Sequence, residues 1–339
     1  MTATETDTTE APDREPRERD RRSEPLWQRA VAAVLGSAIW LLGVLPAWLS
    51  YLLCSVVAVP WYLHWRLADW RGQRSKGYWR NVRIAFRPGS PLGPTRPARH
   101  LWRWSLHIAW LVADFCLIRK LNVRTLDRYV DMSEYPPIAA LFAEGKGIIF
   151  ATGHVGVWDV AGVGAGLRGL PLTSVFRPSP MPALDRLIAN LRTRTGSNVV
   201  ARKRVMYTLK RILAEHGAIG LLCDGGGKHS AVIAPFLGTV AKTVATPAVL
   251  HLSSGAPIVV VTVLRTGCMR FKLRVYDIIR HAPSADRDAD LAAIMTRVNR
   301  GLSSAIAEAP EQWFWQGRRF RHRPAGEVPG EDGLPPLAG

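Results

Sequence analysis

The sequence predicts an α/β fold, a mixed central sheet flanked by helices, preceded by an N-terminal membrane-associated helical segment. Two observations carry this reading. From Lys146 onward, short apolar runs alternate with helical patterns, the rhythm of a sheet with helices packed on it. Earlier, between Arg29 and Arg66, no charged residue interrupts the chain apart from the titratable His64. That stretch exceeds the ~20 residues one membrane-spanning helix needs. At 339 residues and 47% hydrophobic composition, the chain can build a large core, as one domain or two.

Taken in order, residues 1–25 are rich in Thr, Glu, Arg, Asp and Pro and bury too little apolar surface to offset ordering entropy, so they are expected to form a disordered tail. Residues 26–66 are the membrane-associated or transmembrane helical segment. Pro46 and Pro60 punctuate it, which predicts an interfacial helix near 26–43 and a spanning helix near 47–65, or a helical hairpin. Tryptophans at 27, 40, 48, 61 and 65 match the interfacial preference of an amphipathic ring. Residues 67–325 form the main domain and 326–339 a flexible tail. Within that domain, 66–104 is Arg/Trp-rich and broken by a Gly/Pro-rich loop at 88–97, and 100–119 reads as a mostly apolar helix. Strands are expected at 147–152, 172–176, 198–201, 218–223, 257–264 and 271–278. The helices between and after them are expected at 157–168, 182–195, 204–215, 243–254 and 286–309. Gly196, Gly217 and Gly255 follow helical stretches, as C-terminal caps should.

The formal charge of +18 exceeds what solubility requires and calls for an acidic partner: nucleic acid, anionic lipid headgroups or an acidic carrier protein. Residues 1–25 carry eight acids against five arginines, so the remaining body is more basic still. Basic and aromatic side chains interleaved beside an apolar segment favour an anionic membrane surface. No zinc-finger or RNP-like motif supports specific nucleic-acid binding. Cys54, Cys116, Cys223 and Cys268 form no CxxC pair, which argues against a zinc site or a disulfide framework and fits a reducing, cytosol-facing body.

The segment GIIFATGHVGVWDV, residues 147–160, carries the chemistry: a buried strand, a glycine-flanked turn with His154, then a helix with Asp159. Positions i and i+5 lie about 140° apart around a helix, so the two cannot face each other if both are helical. His154 is therefore expected in the turn, with Asp159 reaching back to one ring nitrogen and leaving the other free as a general base. A His and an Asp five apart also occur as a purely structural pair; the position at a strand's C-terminal end is what favours chemistry. No GxSxG elbow is present, which favours direct transfer over a covalent acyl-enzyme. Asp224 ends a buried strand, where a carboxylate is costly unless it is paired or lines a cleft.

Residues 147–160 resemble the H-x4-D/E motif of the late acyltransferases of lipid A biosynthesis, a branch of the lysophospholipid acyltransferase superfamily that includes the mycobacterial phosphatidylinositol mannoside acyltransferases. The resemblance continues through VFRPSPMPALDRLIANLRTRTG (175–196), GLLCDGGGK (220–228), APFLGTVAKTVATPAVLHLSSGAPIVVV (234–261) and PEQWFWQGRRFRHRP (310–324). Five ordered blocks and an N-terminal membrane segment are far more specific than one motif.

The resemblance implies an enzyme of the bacterial inner membrane with its catalytic domain on the cytoplasmic face. The donor would be acyl carrier protein or acyl-coenzyme A, the acceptor a membrane glycolipid or phospholipid, and no metal or redox cofactor would be needed. It implies His154 as general base and Asp159 as its orienting carboxylate. Arg177 would contact a phosphate or an oxyanion, a task its planar guanidinium suits. Asp224, Gly156, Trp158 and Arg319 would complete the substrate-binding wall, with Trp313, Trp315, Arg318 and Arg321 packing beside the site or meeting headgroups.

The sequence departs from the family pattern at Val157 (usually Asn), Gly225 (often Gln) and Thr246 (usually Gly). Asn and Gln orient polar substrates, so the acceptor stays open. The departures also keep a second class of function in play, a catalytically inactive membrane protein that holds lipid or carrier protein.

Overall fold

The computed structural model describes residues 25–73, 77–202, 205–226 and 231–338; residues 1–24 of the expected disordered tail lie outside these. The chain begins with α1 (Leu26–Val44) and α2 (Ala47–Trp70), separated at Pro46. Proline fixes φ and lacks an N–H, so it suits the position before a helix start, and Pro46 holds φ −52° there. Pro60 sits inside α2 without ending it. The spanning helix expected to stop near 65 therefore runs to Trp70. Then follow α3 (Gly77–Ala85), the loop at 88–96, α4 (Pro97–Leu117), α5 (Leu126–Tyr129), β1 (Val130–Asp131) and α6 (Pro136–Ala143).

Among the described residues, three helices are long and apolar enough to cross a membrane: Leu26–Val44, Ala47–Trp70 and Pro97–Lys120. They differ in what their surface touches. On α1 and α2, large apolar side chains including Trp27, Trp40, Trp48, Leu52, Val56 and Leu63 are exposed. On α4, Leu101, Trp104, Ala109 and Ala113 are buried against the body.

The body alternates strand and helix as its hydrophobic rhythm predicts. In order come β2 (Ile148–Thr152), α7 (Trp158–Leu167), β3 (Leu172–Phe176), α8 (Pro182–Thr193), β4 (Asn198–Ala201), α9 (Val205–Ala214) and β5 (Ala218–Leu222). A two-stranded hairpin, β6 (Ala231–Phe236) and β7 (Thr239–Val244), leads to α10 (Thr246–Ser254). The chain continues through β8 (Ile258–Gly267), β9 (Arg270–Ile279) and α11 (Arg287–Glu308). Among the described residues, seven strands form one mixed sheet in the order β1-β9-β8-β2-β5-β3-β4, in which β8 and β9 pair antiparallel and the other neighbours parallel.

The β6–β7 hairpin falls partly where a helix from 243 is expected. Its turn is Leu237–Gly238, both at positive φ (48° and 79°). This is the geometry two-residue hairpins need, but it lacks the usual Asn-Gly or Asp-Gly signature. At the end of α9 the left-handed residue is His216 (φ 60°) rather than the expected Gly217, whose N–H instead reaches Ile212 O at 2.8 Å.

Side chains alternate across the sheet and build two cores. Ile149, Ala151, Ile219, Leu221, Ile258 and Val260 face α9, α10 and α11, whereas Ile148, Phe150, Leu172, Val259, Val261 and Val263 face α7 and α6. The C-terminal segment expected as a tail lies along the hairpin, where Ala338 N donates to Gly238 O (2.9 Å) and Thr239 Oγ1 to Pro336 O (2.6 Å).

Candidate active site

His154 lies in the turn between β2 and α7, at the C-terminal edge of the sheet. The chain leaves β2 for β3 and β4 on one side and returns through α9 to β5, which inserts between β2 and β3. Such reversals open a crevice beyond the strand ends where α/β folds bind ligands.

The parallel register of β2 with β5 pairs Thr152 with Leu222. Cys223 N then donates to Thr152 O at 2.7 Å, which carries Asp224 to the level of His154. Asp224 Oδ1 meets His154 Nδ1 at 2.8 Å, and Oδ2 accepts from His154 N at 3.0 Å and from the Trp313 indole Nε1 at 2.8 Å. Gly153 makes room for this carboxylate: a Cβ there would stand 3.2 Å from Asp224 Cβ and Cγ.

The expected partner, Asp159, is engaged elsewhere. It sits in the first turn of α7 and accepts from Arg192 Nε of α8 at 2.6 Å. The carboxylate on the histidine is thus Asp224, supplied by the neighbouring strand, and the one five residues along the chain serves an arginine on the cavity wall.

Electrostatics follow from this geometry. Burial alone would raise the pKa of Asp224, but the His154 charge, the bond from its ring, the Trp313 indole and the His154 amide together hold it at about 2. Burial alone would lower His154; the Asp224 charge and hydrogen bond outweigh it, so the net shift is upward. The imidazole keeps 39% of its side-chain surface open, and this ring borders the cavity. Trp158 meets it edge-on with ring centres 5.4 Å apart, and Phe314 lies 5.9 Å away.

A strap at 312–314 fixes the turn. Gly156 N donates to Gln312 O and Phe314 N to His154 O, each at 2.9 Å, while the Gln312 side chain bonds both backbone groups of Arg265 on β8 at 2.9 Å. Gly156 adopts φ +67°, and a Cβ there would lie 2.1 Å from Val263 O. Its requirement is therefore structural, and it does not line the cavity as a substrate contact would. Gly156→Ala should cost more than about 2 kcal/mol by adding left-handed strain to a backbone clash. Thermal unfolding in detergent reads this loss, and an unchanged melting temperature would refute it.

A cavity of about 980 Å³ extends from His154, at the upper end of the roughly 300–1,000 Å³ typical of ligand sites. Trp158, Asp159, Arg177 and Arg192 line its polar rim, and the rest is mostly apolar. Arg177 is exposed just beyond β3, where it can meet an anionic group. Arg319 does not line the cavity. It is 1% exposed, bonds Lys242 O (2.9 Å), Thr243 Oγ1 (2.8 Å) and Asn299 Oδ1 (3.2 Å), and lies over the Phe236 ring at 4.1 Å. Burial lowers its pKa to about 10, still cationic at neutral pH. It braces the hairpin against α11 instead of meeting substrate.

Of the other motif residues, Trp313 and Trp315 are buried, and Arg318 and Arg321 are exposed. Lys228 lies outside the described residues. Val157 is buried and absent from the cavity wall, whereas Gly225 lines it with nothing within 4 Å of where a Cβ would stand. Among the described residues, no three of His, Cys, Asp and Glu gather to hold a metal ion.

Fold and site together define an α/β protein with a carboxylate-held histidine over a long apolar cavity. Residues 104–322 match the model of the bacterial lipid A biosynthesis acyltransferase family, and the chain belongs to that family. It is similar to a lipid A biosynthesis acyltransferase of Haemophilus influenzae, 25% identical over 191 residues that cover 55% of this chain and 57% of the relative. It is also similar to a lipid A biosynthesis palmitoleoyltransferase of Escherichia coli K12, 25% identical over 187 residues that cover 54% and 59%. The match thus spans less than two thirds of each relative's length.

Proposed function

We propose that this protein is a membrane-bound O-acyltransferase. It moves a fatty acyl group from a thioester, carried by acyl carrier protein or coenzyme A, to a hydroxyl of a glycolipid or phospholipid. The observation that carries the reading is the His154–Asp224 pair at the strand ends, opening on an apolar cavity.

Asp224 accepts Nδ1–H and so leaves Nε2 as the basic nitrogen. Nε2 takes the proton of the acceptor hydroxyl as its oxygen attacks the thioester carbonyl. The carbon–sulfur bond breaks, and the imidazolium returns the proton to the departing thiolate, giving ester and thiol. Cys223 does not compete as a nucleophile, because burial raises its pKa and keeps it a thiol.

The acyl chain fits the lobe beneath His154 on the α7 face, among Phe150, Val160, Leu172, Val261, Val263 and Leu273. Burial there gains roughly 0.8 kcal/mol per methylene. Arg177 and Arg192 at the rim suit a phosphate of either substrate. The open wall at Gly225 leaves room at the acceptor end. The exposed apolar surfaces of α1 and α2 support a seat in the bacterial inner membrane. Donors of this kind are cytosolic, which supports a cavity on the cytoplasmic side. The basic surface draws in anionic lipid and donor.

Lipid mass spectrometry of host membranes tests the proposal. Deleting the gene should remove one fatty acyl group from one lipid class; the wild-type gene should restore it and His154→Ala should not. Restoration by His154→Ala would end the general-base account and favour a non-catalytic lipid-holding protein.

A further inference from the structure

The cavity wall draws on both hydrophobic cores, which lie on opposite faces of the sheet. On the α7 face, Phe150, Leu172, Val261 and Val263 line a lobe whose far end is closed by buried Val130 and Ile138. On the opposite face, Val175, Val205, Met206, Leu209, Leu221 and Pro247 line a second lobe bounded by β3, β5, α9 and α10. Paired strands separate the two lobes, so one linear chain cannot cross between them; it would have to double back around the strand ends. His154 sits at those ends, where the lobes meet.

We infer that the second lobe seats a hydrocarbon tail of the acceptor, so that the acceptor is bound by its own chain as well as by its headgroup. This rests on the acyltransferase reading. The closed lobe suits a single linear acyl chain ending at a thioester. The second lobe opens to solvent where Val205 and Met206 are only half-buried. A bulky amphiphile can thus enter tail first and keep its headgroup outside. Concave, mostly apolar walls with a few polar groups at one end are the usual make-up of a ligand site. Two chains, one per face, bring thioester and hydroxyl together at the histidine and make their meeting intramolecular.

The test uses the full-length protein in nanodiscs with one acyl thioester and two acceptors, a glycolipid with its tails and the same headgroup deacylated. Wild type should strongly prefer the tailed acceptor. Met206→Trp should raise KM for that acceptor by about tenfold, the loss of about two buried methylenes, without changing the preferred donor length. Gly162→Phe, on the α7 wall where a Cβ meets nothing within 4 Å, should do the converse and shorten the preferred donor.

The inference is overturned if Met206→Trp alters donor preference instead, or if the deacylated acceptor serves as well as the tailed one. A second arm needs no turnover: a monoacyl phospholipid with a diazirine in its tail should cross-link within α9. Labelling confined to α1, α2 or α7 would refute the lobe. Labelling of α9 with no transfer to any acceptor would spare the lobe and sink the acyltransferase reading.

Discussion

Asp224→Asn is expected to slow acyl transfer by about 10²–10⁴-fold, the range for disabling a positioned general base, whereas Asp159→Asn costs far less and acts mainly on KM through Arg192. The amide offers His154 Nδ1 no charge and can present a donor to it, so the ring loses both its orientation and its raised basicity. The pH profile separates this from a mere loss of structure. In wild type, kcat/KM should fall as pH drops through the pKa of His154, which lies above the ordinary value of about 6.5. Protonation removes the base, so the loss is on the acid side. In Asp224→Asn the raising influences vanish and burial remains, so the acid limb moves to lower pH while the plateau falls. A larger defect in Asp159→Asn than in Asp224→Asn would show that the neighbouring-strand carboxylate is not the catalytic partner.

Asp114→Ala should destabilise the fold by about 3–5 kcal/mol, the cost of stranding a buried charge. Asp114 of α4 is 1% exposed and Arg265 of β8 8%. Arg265 Nε donates to Asp114 Oδ2 at 2.8 Å, Arg265 Nη1 meets His107 Nδ1 at 2.8 Å, and Tyr51 of α2 donates to Asp114 Oδ1. The network pins two apolar helices to the strand whose backbone Gln312 clasps, and Gln312 in turn holds Gly156 of the histidine turn. Removing the carboxylate leaves a guanidinium in the core without its counter-charge. Asp114→Leu combined with Arg265→Met should recover part of the loss, because an apolar pair of similar volume carries no stranded charge. Thermal unfolding in detergent measures both variants. A single mutant that melts with wild type would show that the pair bears no weight.

What the sequence by itself determined was local. Periodicity placed the strands at 172–176 and 198–201 as they stand, and the others within a few residues, because alternation and run length are properties of neighbouring residues. The uncharged stretch marked α1 and α2, and Pro46 marked their boundary, since desolvated charge and a missing N–H act within a few residues. His154 at a strand's end was legible for the same reason.

The tertiary structure alone decided who meets whom. Asp224 is 70 residues from His154, and only the insertion of β5 beside β2 brings it to the imidazole. Strand order in a parallel sheet depends on crossovers through helices, and no local pattern encodes it. The motif's own spacing pointed to Asp159, but that carboxylate faces α8 and takes Arg192. Arg319 was expected at the substrate wall from the resemblance of its PEQWFWQGRRFRHRP block, and that block does not show what surrounds its arginines. The carbonyls and ring that make its burial tolerable come from the hairpin and α11, segments that become its neighbours only when the chain is folded.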